Sequence, residues 1–358
     1  MVDSAPTSAP QAARYRRLRS KLASLRYNRS SQTVKIIAVT GMHGKSTVVR
    51  LIAELLRESG AKVVEMMADG TARHSVETDP FLLHRRLADA GRQGYDYVVL
   101  EVHAALVNSH VLPTLAIEMV VAVTDSPQLE AFSALPVRYM VLPHGLTPPK
   151  GVEHHNIMTF GSHEKADMRL AQHKLYRKGT EVSLVIDLHN ELEVASHLVG
   201  ESNALNVAAA LAAVYVLGVE VATFSDGIAR LEQMPGNYEY IPVAAAFTVA
   251  VDGAVSVESL LSTVQSAKAL TKRRLLVATD IPLEADAAQQ ARVIADRLIT
   301  VTDEPRLVDT AKDHEEAAII AVRGARKDDT VLLIGRRYVA RNEHGNLVIE
   351  ALIGGGSE

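Results

Sequence analysis

Short apolar runs alternate with segments of helical periodicity, such as Phe81–Arg92, between residues 34 and 161. This alternation is typical of a mostly parallel sheet whose strands are buried on both faces by helices. We therefore predict an α/β sheet whose ligands bind beyond the carboxyl ends of its strands. The apolar runs that predict the strands are Val34–Thr40, Lys62–Met67, Tyr95–Glu101, Ile117–Thr124 and Tyr139–Leu142.

The pattern changes after Met168, where apolar and polar residues alternate in close-set runs. Such runs predict a small antiparallel meander. Its predicted strands are Lys174–Tyr176, Glu181–Ile186 and Glu191–Ser196, and two helices are predicted to follow at Asn203–Leu217 and Val221–Leu231.

The turn signal Met234-Pro235-Gly236 follows the second of these helices, and residues 235–242 are the predicted domain boundary. Beyond it, apolar runs again alternate with helical segments, which predicts a second α/β unit. We expect residues 1–33 to form a flexible basic segment, 34–234 a central domain and 235–358 a C-terminal domain. The strands predicted in the last of these are Ala246–Asp252, Arg274–Thr279, Leu298–Thr302 and Thr330–Ile334.

Composition narrows the function classes. The 358 residues are 47% hydrophobic, which is ample for buried cores in two or three domains. A formal net charge of -4 gives no electrostatic reason to expect nucleic acid or an acidic membrane as a partner, so small-molecule chemistry is favoured. The lack of cysteine excludes disulfides and thiolate-metal sites. It fits a reducing compartment, and we expect a cytoplasmic protein without a membrane anchor.

The first thirty-odd residues combine a Ser/Ala/Pro-rich tip with a run of arginines and carry no apolar core of a secretory signal. We interpret them as a disordered tip followed by a solvated helix. An organellar transit peptide is the alternative.

The sequence Thr40-Gly41-Met42-His43-Gly44-Lys45-Ser46-Thr47 is the most informative motif, because it lies between a predicted strand and a predicted helix. A strand that ends in such a loop directs backbone N–H groups and the positive end of a helix at an anion. Lysine and serine at these positions are typical of residues that meet the phosphates of a nucleoside triphosphate and Mg²⁺. Val39 replaces the first glycine of the common form of this motif.

Glu101 ends the predicted strand Tyr95–Glu101 and is expected to face the same crevice as the phosphate loop. Magnesium prefers hard oxygen ligands and bridges them to substrate phosphates. The sequence therefore predicts a magnesium site that Ser46 and Glu101 share.

Four segments together resemble the Mur ligase superfamily in their order and context. They are the phosphate loop, Val99-Leu100-Glu101-Val102-His103, Gly200-Glu201-Ser202-Asn203-Ala204-Leu205-Asn206 and Pro235-Gly236-Asn237-Tyr238-Glu239. The resemblance extends over residues 34–348 and weakens after Pro235. The C-terminal part is most similar to the enzyme that adds the third residue of the peptidoglycan peptide.

The resemblance implies a phosphate-loop, parallel-sheet ATP-binding domain with a small antiparallel subdomain, followed by a Rossmann-like α/β C-terminal domain. Members of this family phosphorylate a carboxylate with ATP and Mg²⁺, and the amine of an incoming amino acid attacks the acyl phosphate. The implied nucleotide-binding residues are Gly41, His43, Gly44, Lys45, Ser46, Thr47, Asn206 (adenine) and Asp252 (ribose). Lys45 and Glu101 are the implied catalytic residues, Ser46 and Glu101 the metal ligands, and Arg306 the contact to a substrate carboxylate. A surface role is the alternative for Arg306.

Several positions depart from the family pattern. The segment that normally supplies a carbamate lysine for a second Mg²⁺ is deleted after Thr124, and Lys165 is a poor replacement because acidic neighbours indicate a solvated turn. Asn237 stands where the family has an arginine, and Val255 where it has a histidine. The residues before Val34 are too few to form the domain that grips a nucleotide-sugar precursor. His144, His154, His155 and His163 cluster in the shortened region and are candidates for a metal ligand or base.

Two hypotheses follow from these matches and departures. The first is an ADP-forming carboxylate-amine ligase whose substrates include cell-wall precursors. The second is a degenerate relative that binds ATP and acts as a regulatory or interaction partner of another protein. A phosphate-loop kinase or GTPase is less favoured, because no base-recognition motif for it is evident. Nucleic acid and membranes are not expected as partners.

Overall fold

The computed structural model describes residues 9–67, 74–75, 78–133, 135–150, 156–186, 190–231, 236–301, 309–342 and 346–350. The chain forms two compact units. The first unit comprises Met1–Gln172, Ser183–Val194 and Leu205–Leu231, and the second comprises His173–Val182, Ala195–Ala204 and Glu232–Glu358. None of the described helices is both long enough and apolar enough to cross a membrane.

The larger sheet has ten strands: β1 (Lys35–Thr40), β2 (Val63–Met67), β3 (His74–Ser75), β4 (Tyr97–Glu101), β5 (Ile117–Ala122), β6 (Tyr139–Pro143), β7 (Ile157–Gly161), β8 (Met168–Tyr176), β9 (Gly179–Ile186) and β10 (Asn190–Ser196). Their order is β10-β9-β8-β7-β6-β5-β1-β4-β2-β3, and all pairs from β3 to β8 are parallel. Two residues join β8 to β9, a connection that only antiparallel neighbours allow. The predicted parallel sheet with a meander is thus confirmed.

Among the described residues, six α-helices accompany these strands: α1 (Ala9–Arg26), α2 (Lys45–Glu58), α3 (Pro80–Arg92), α4 (Ala104–Asn108), α5 (Glu201–Val216) and α6 (Phe224–Ala229). The sequence of α2 buries Val48, Leu51, Ile52 and Leu55, which lie on one face at intervals of three and four residues. This face covers β1 and holds the start of α2 at the carboxyl end of the strand.

The first helix, α1, lies in the segment where a solvated helix was expected, and it packs against α3. Ser20 and Ala23 are fully buried, and the Ser20 hydroxyl donates to the Ser109 carbonyl at 3.2 Å. The small side chains of Ser20 and Ala23 allow α1 to approach its neighbours closely. The pattern of apolar residues did not indicate this contact, because arginines are frequent in this segment.

The second unit contains a six-stranded sheet in the order β11-β12-β16-β13-β14-β15. All its pairs are parallel except β11 with β12. Its strands are β11 (Glu239–Ile241), β12 (Thr248–Asp252), β13 (Leu275–Thr279), β14 (Arg297–Val301), β15 (Asp309–Ala311) and β16 (Thr330–Ile334), and its helices are α7 (Val257–Leu270), α8 (Ala285–Ile294) and α9 (His314–Gly324). The predicted second α/β unit is therefore confirmed.

Candidate functional site

The phosphate-loop motif follows β1, which lies between β4 and β5 near the middle of the parallel part of the sheet. Gly41 and Gly44 have φ angles of 146° and 77°, which side chains with a Cβ rarely adopt. The first described i to i−4 bond of α2 runs from the Val48 N–H to the Gly44 carbonyl at 2.9 Å. The N–H groups of the preceding residues thus lie at the positive start of the helix, where anions bind.

Close packing is a second reason for glycine at position 44. A Cβ on Gly44 would collide with the Asn206 amide oxygen and would lie 2.9 Å from a methyl of Val123. A Cβ on Gly41 would lie 3.1 Å from the Thr124 hydroxyl. The loop is therefore pressed against the segment that follows β5 and against α5.

Three hydrogen bonds fix the loop itself. The Lys45 ammonium donates to the carbonyls of Gly41 at 2.9 Å and Met42 at 3.3 Å, so its charge lies over the loop. The Met42 N–H donates to the Thr124 hydroxyl at 2.9 Å. No sequence motif marks Thr124; its position two residues after β5, which borders β1, is the signal that could have identified it.

Ser46 and Glu101 lie together, as the sequence predicted. The register of β1 and β4 pairs Val39 with Glu101, which places the carboxylate beside the start of α2. The Ser46 hydroxyl donates to Glu101 Oε2 at 3.0 Å, and Glu101 is only 5% exposed. Within the described ranges no three His, Asp or Glu side chains converge on one point. Two hard oxygens are nevertheless the donor set with which Mg²⁺ bridges a protein to phosphates.

Asn206 is buried on α5 and borders Gly44, so the structure brings the predicted adenine contact to the phosphate loop. His43 lies in the loop, and Thr47 is buried in the first turn of α2. The site residues predicted in the first unit thus surround one loop.

Asp252 belongs to the second unit and ends β12. Its carboxylate accepts hydrogen bonds from the N–H groups of Tyr238 at 3.0 Å and Ala254 at 2.9 Å and from the Thr263 hydroxyl at 3.5 Å. Burial raises the pKa of Asp252 to about 6, against the effect of these hydrogen bonds. Arg306 lies outside the described residues.

Two further positions in the second unit have structural roles. Asn237, which departs from the family pattern, exchanges reciprocal side-chain amide hydrogen bonds of 3.0 and 3.1 Å with Asn203. Gly335 approaches the Asp280 carboxylate so closely that a Cβ would overlap it, which explains the glycine at φ 140°.

The histidine cluster expected near the shortened segment is described in part. The rings of His144 and His163 stack with centroids 4.3 Å apart. His154 and His155 lie outside the described residues. Lys165 is exposed, as the sequence indicated.

A family model for the Mur ligase middle domain matches residues 39–125 and 149–214. The chain is 27% identical to UDP-N-acetylmuramoyl-L-alanyl-D-glutamate–2,6-diaminopimelate ligase from Geobacillus kaustophilus, over 94% of the chain and 80% of that enzyme. It is 25% identical to the chloroplastic MurE homolog of Zea mays, over 70% of the chain and 37% of that protein.

Solved structures of ligases share the fold. MurF ligase from Thermotoga maritima, solved in complex with ADP, matches with a TM-score of 0.68 at 16% identity, over 99% of this chain and 86% of that one. Folylpolyglutamate synthetase from Lactobacillus casei matches with a TM-score of 0.65 at 15% identity, over 93% of this chain and 98% of that one.

Proposed function

We propose that this chain, which matches the Mur ligase middle domain over residues 39–125 and 149–214 and is similar to Mur ligases, is an ATP-dependent, ADP-forming ligase that joins a carboxylate to an amine. The observation that carries this proposal is the Ser46–Glu101 pair beside the Lys45 loop. This arrangement combines a phosphate cradle with an oxygen pair for a metal, which the transfer of a phosphoryl group needs.

The residues present fit a nucleotide and Mg²⁺. Both loop glycines have positive φ, and a Cβ on Gly44 would collide with Asn206, so glycine is needed for the conformation that places the loop N–H groups at the start of α2. Lys45 would neutralise the terminal phosphates, and Ser46 with Glu101 would hold Mg²⁺, which supplies positive charge to the transferred phosphoryl group. Asn206, beside Gly44, would contact the base.

The proposed reaction has two balanced steps. A carboxylate oxygen of the substrate forms a bond to the γ-phosphorus of ATP as the bond to the ADP oxygen breaks. The nitrogen of the amine then bonds to the acyl carbon, phosphate leaves with the electron pair, and the nitrogen loses a proton. In this scheme Lys45 and the loop N–H groups act on the charge that develops on the phosphoryl oxygens. We propose cell-wall precursors and amino acids as the first substrates to test, because the similar protein from Geobacillus kaustophilus is named as a ligase of UDP-N-acetylmuramoyl-L-alanyl-D-glutamate and 2,6-diaminopimelate.

A second candidate is a nucleotide-binding relative without ligation. It is favoured by Asn237, which stands where the family has an arginine and whose amide is committed to Asn203. A neutral amide does not supply the positive charge of that arginine, and loss of a preorganised group that stabilises charge costs about 3 kcal/mol in a barrier.

Phosphorus NMR of the protein with Mg-ATP and a pool of cell-wall precursors and amino acids separates the two. The ligase predicts growth of ADP and phosphate that requires the pool and is abolished in Lys45→Ala. Lys62→Ala, an exposed lysine in the same unit, is the matched control and should turn over normally. ATP signals that broaden without turnover would support the second candidate, and turnover that persists in Lys45→Ala would refute the proposed site.

A further inference from the structure

The outer face of α1 exposes a regular apolar stripe. Tyr15, Leu18, Leu22 and Leu25 are 66%, 57%, 50% and 62% exposed, and their spacing of three, four and three residues is that of positions a and d in a heptad. At 3.6 residues per turn they occupy an arc of about 80°. Buried Ser20 and Ala23 lie on the opposite side of the helix.

Basic residues border this stripe on both sides. With Tyr15 and Leu22 at position a, the flanking e and g positions are Arg14, Arg19, Lys21 and Arg26, all of them exposed. In coiled coils the residues at e and g decide which partner is accepted, because they face each other across the seam. A second copy of α1 would place like charges opposite one another, whereas a helix with Glu at these positions would complement Arg14, Lys21 and Arg26; Arg19 already pairs with Asp79.

The helix is held in place before any partner arrives. The Arg16 guanidinium donates to the Asn108 carbonyl at 3.0 Å, the Ser20 hydroxyl donates to Ser109, and Arg19 pairs with Asp79. Forming a helix from a free chain is costly, so a docked helix binds with a smaller loss of entropy than a disordered segment.

We propose that α1 is a docking surface for an acidic amphipathic helix of another protein, which pairs with it as one half of a short coiled coil. A narrow a/d stripe is the geometry of a helix–helix seam. A helix that lies in a membrane interface presents a wider apolar face. The proposal is independent of the ligase site, since none of these residues lies in the phosphate loop.

The probe for this surface is a fluorescent synthetic peptide about three heptads long, with Leu at a and d and Glu at e and g. It should bind the whole chain, with an affinity that falls as salt rises. The double variant Leu18→Ser/Leu22→Ser should weaken binding by about tenfold or more, since central apolar residues dominate such interfaces. Val293→Ser/Val348→Ser, which alters exposed apolar residues elsewhere, should bind as the parent does.

A charge-reversal experiment separates recognition from nonspecific adhesion. Arg14→Glu/Lys21→Glu should lose affinity for the acidic peptide and gain affinity for the same peptide with Lys at e and g. Hydrogen exchange should show protection of residues 9–26 when the peptide is bound.

Three outcomes would overturn the proposal. The first is peptide binding that the Leu18→Ser/Leu22→Ser variant leaves unchanged. The second is sedimentation with phosphatidylserine vesicles through these residues while the peptide fails to bind, which indicates a membrane surface. The third is self-association through the stripe without peptide binding, measured by analytical ultracentrifugation, which indicates a second copy.

Discussion

Replacing Gly44 with alanine tests whether the phosphate loop needs glycine for its backbone or for its packing. The residue has φ 77°, and an alanine there costs about 1–2 kcal/mol from backbone strain alone. The new Cβ would also collide with the Asn206 amide and approach Val123 to 2.9 Å. Overpacking of this kind costs about a further 1–3 kcal/mol. We therefore expect Gly44→Ala to lower the free energy of unfolding by about 2–5 kcal/mol.

Gly94→Ala is the matched control, because Gly94 has φ 71° in the same unit and its Cβ would meet nothing within 4 Å. It should cost only the backbone strain of about 1–2 kcal/mol. Urea denaturation followed by circular dichroism measures both variants through the same unit. Equal losses of stability would refute the packing argument.

The same pair of variants also tests the site. Displacement of Asn206 by the new Cβ should weaken ATP binding about tenfold in Gly44→Ala, measured by calorimetry. Gly94→Ala should bind ATP normally. If ATP binding is unchanged in Gly44→Ala, Asn206 does not contact the nucleotide.

Three further predictions rest on single side chains. Thr124→Val removes the hydroxyl that accepts from the Met42 N–H, and it should lower the free energy of unfolding by about 1 kcal/mol and weaken ATP binding. Unchanged stability and unchanged ATP affinity would contradict this role of Thr124. Burial lowers the pKa of His84 from 6.5 to about 4, so the unfolded chain binds the proton at a higher pH than the folded chain does. The free energy of unfolding should therefore fall by about 3 kcal/mol as the pH falls from 6.5 towards 4. His84→Gln should lack this loss in urea titrations at several pH values, and a variant with the parent's slope would exclude His84 as its source. Burial raises the pKa of Asp252 to about 6, so the folded chain binds the proton more tightly than the unfolded chain does. The free energy of unfolding should therefore rise by about 3 kcal/mol as the pH falls from 6 towards 4. In Asp252→Asn this rise should disappear, and its persistence would show that another group titrates.

The sequence alone specified the strand, loop and helix of the phosphate site, because each depends on local chemistry. The turn and the start of the helix are specified by the glycines, the lysine and the serine that lie between an apolar run and a helical segment. These residues need no contacts with distant parts of the chain to do so. The pairing of Glu101 with Ser46 was also predictable, since strand ends in parallel sheets meet at one edge.

Strands whose signals are short or weak were predicted less well. Ile157–Gly161 was not predicted because Thr159 and Gly161 interrupt its apolar residues, so that it lacks a continuous apolar run. The strands Glu239–Ile241 and Asp309–Ala311 have three residues each and depend on their neighbours in the sheet. Such strands gain their stability from pairing, which periodicity does not encode.

Contacts between residues far apart in the chain could not be predicted and depend on how the chain folds. Three contacts join segments that are distant in the chain. Gly44 packs against Asn206, the Met42 N–H donates to the Thr124 hydroxyl, and α1 docks through its buried Ser20 and Ala23. Their physical basis is close packing and the need to pair buried polar groups, and both depend on which surfaces the fold brings together. The sequence therefore determined the chemistry that the chain carries, and the fold determined which of these groups meet.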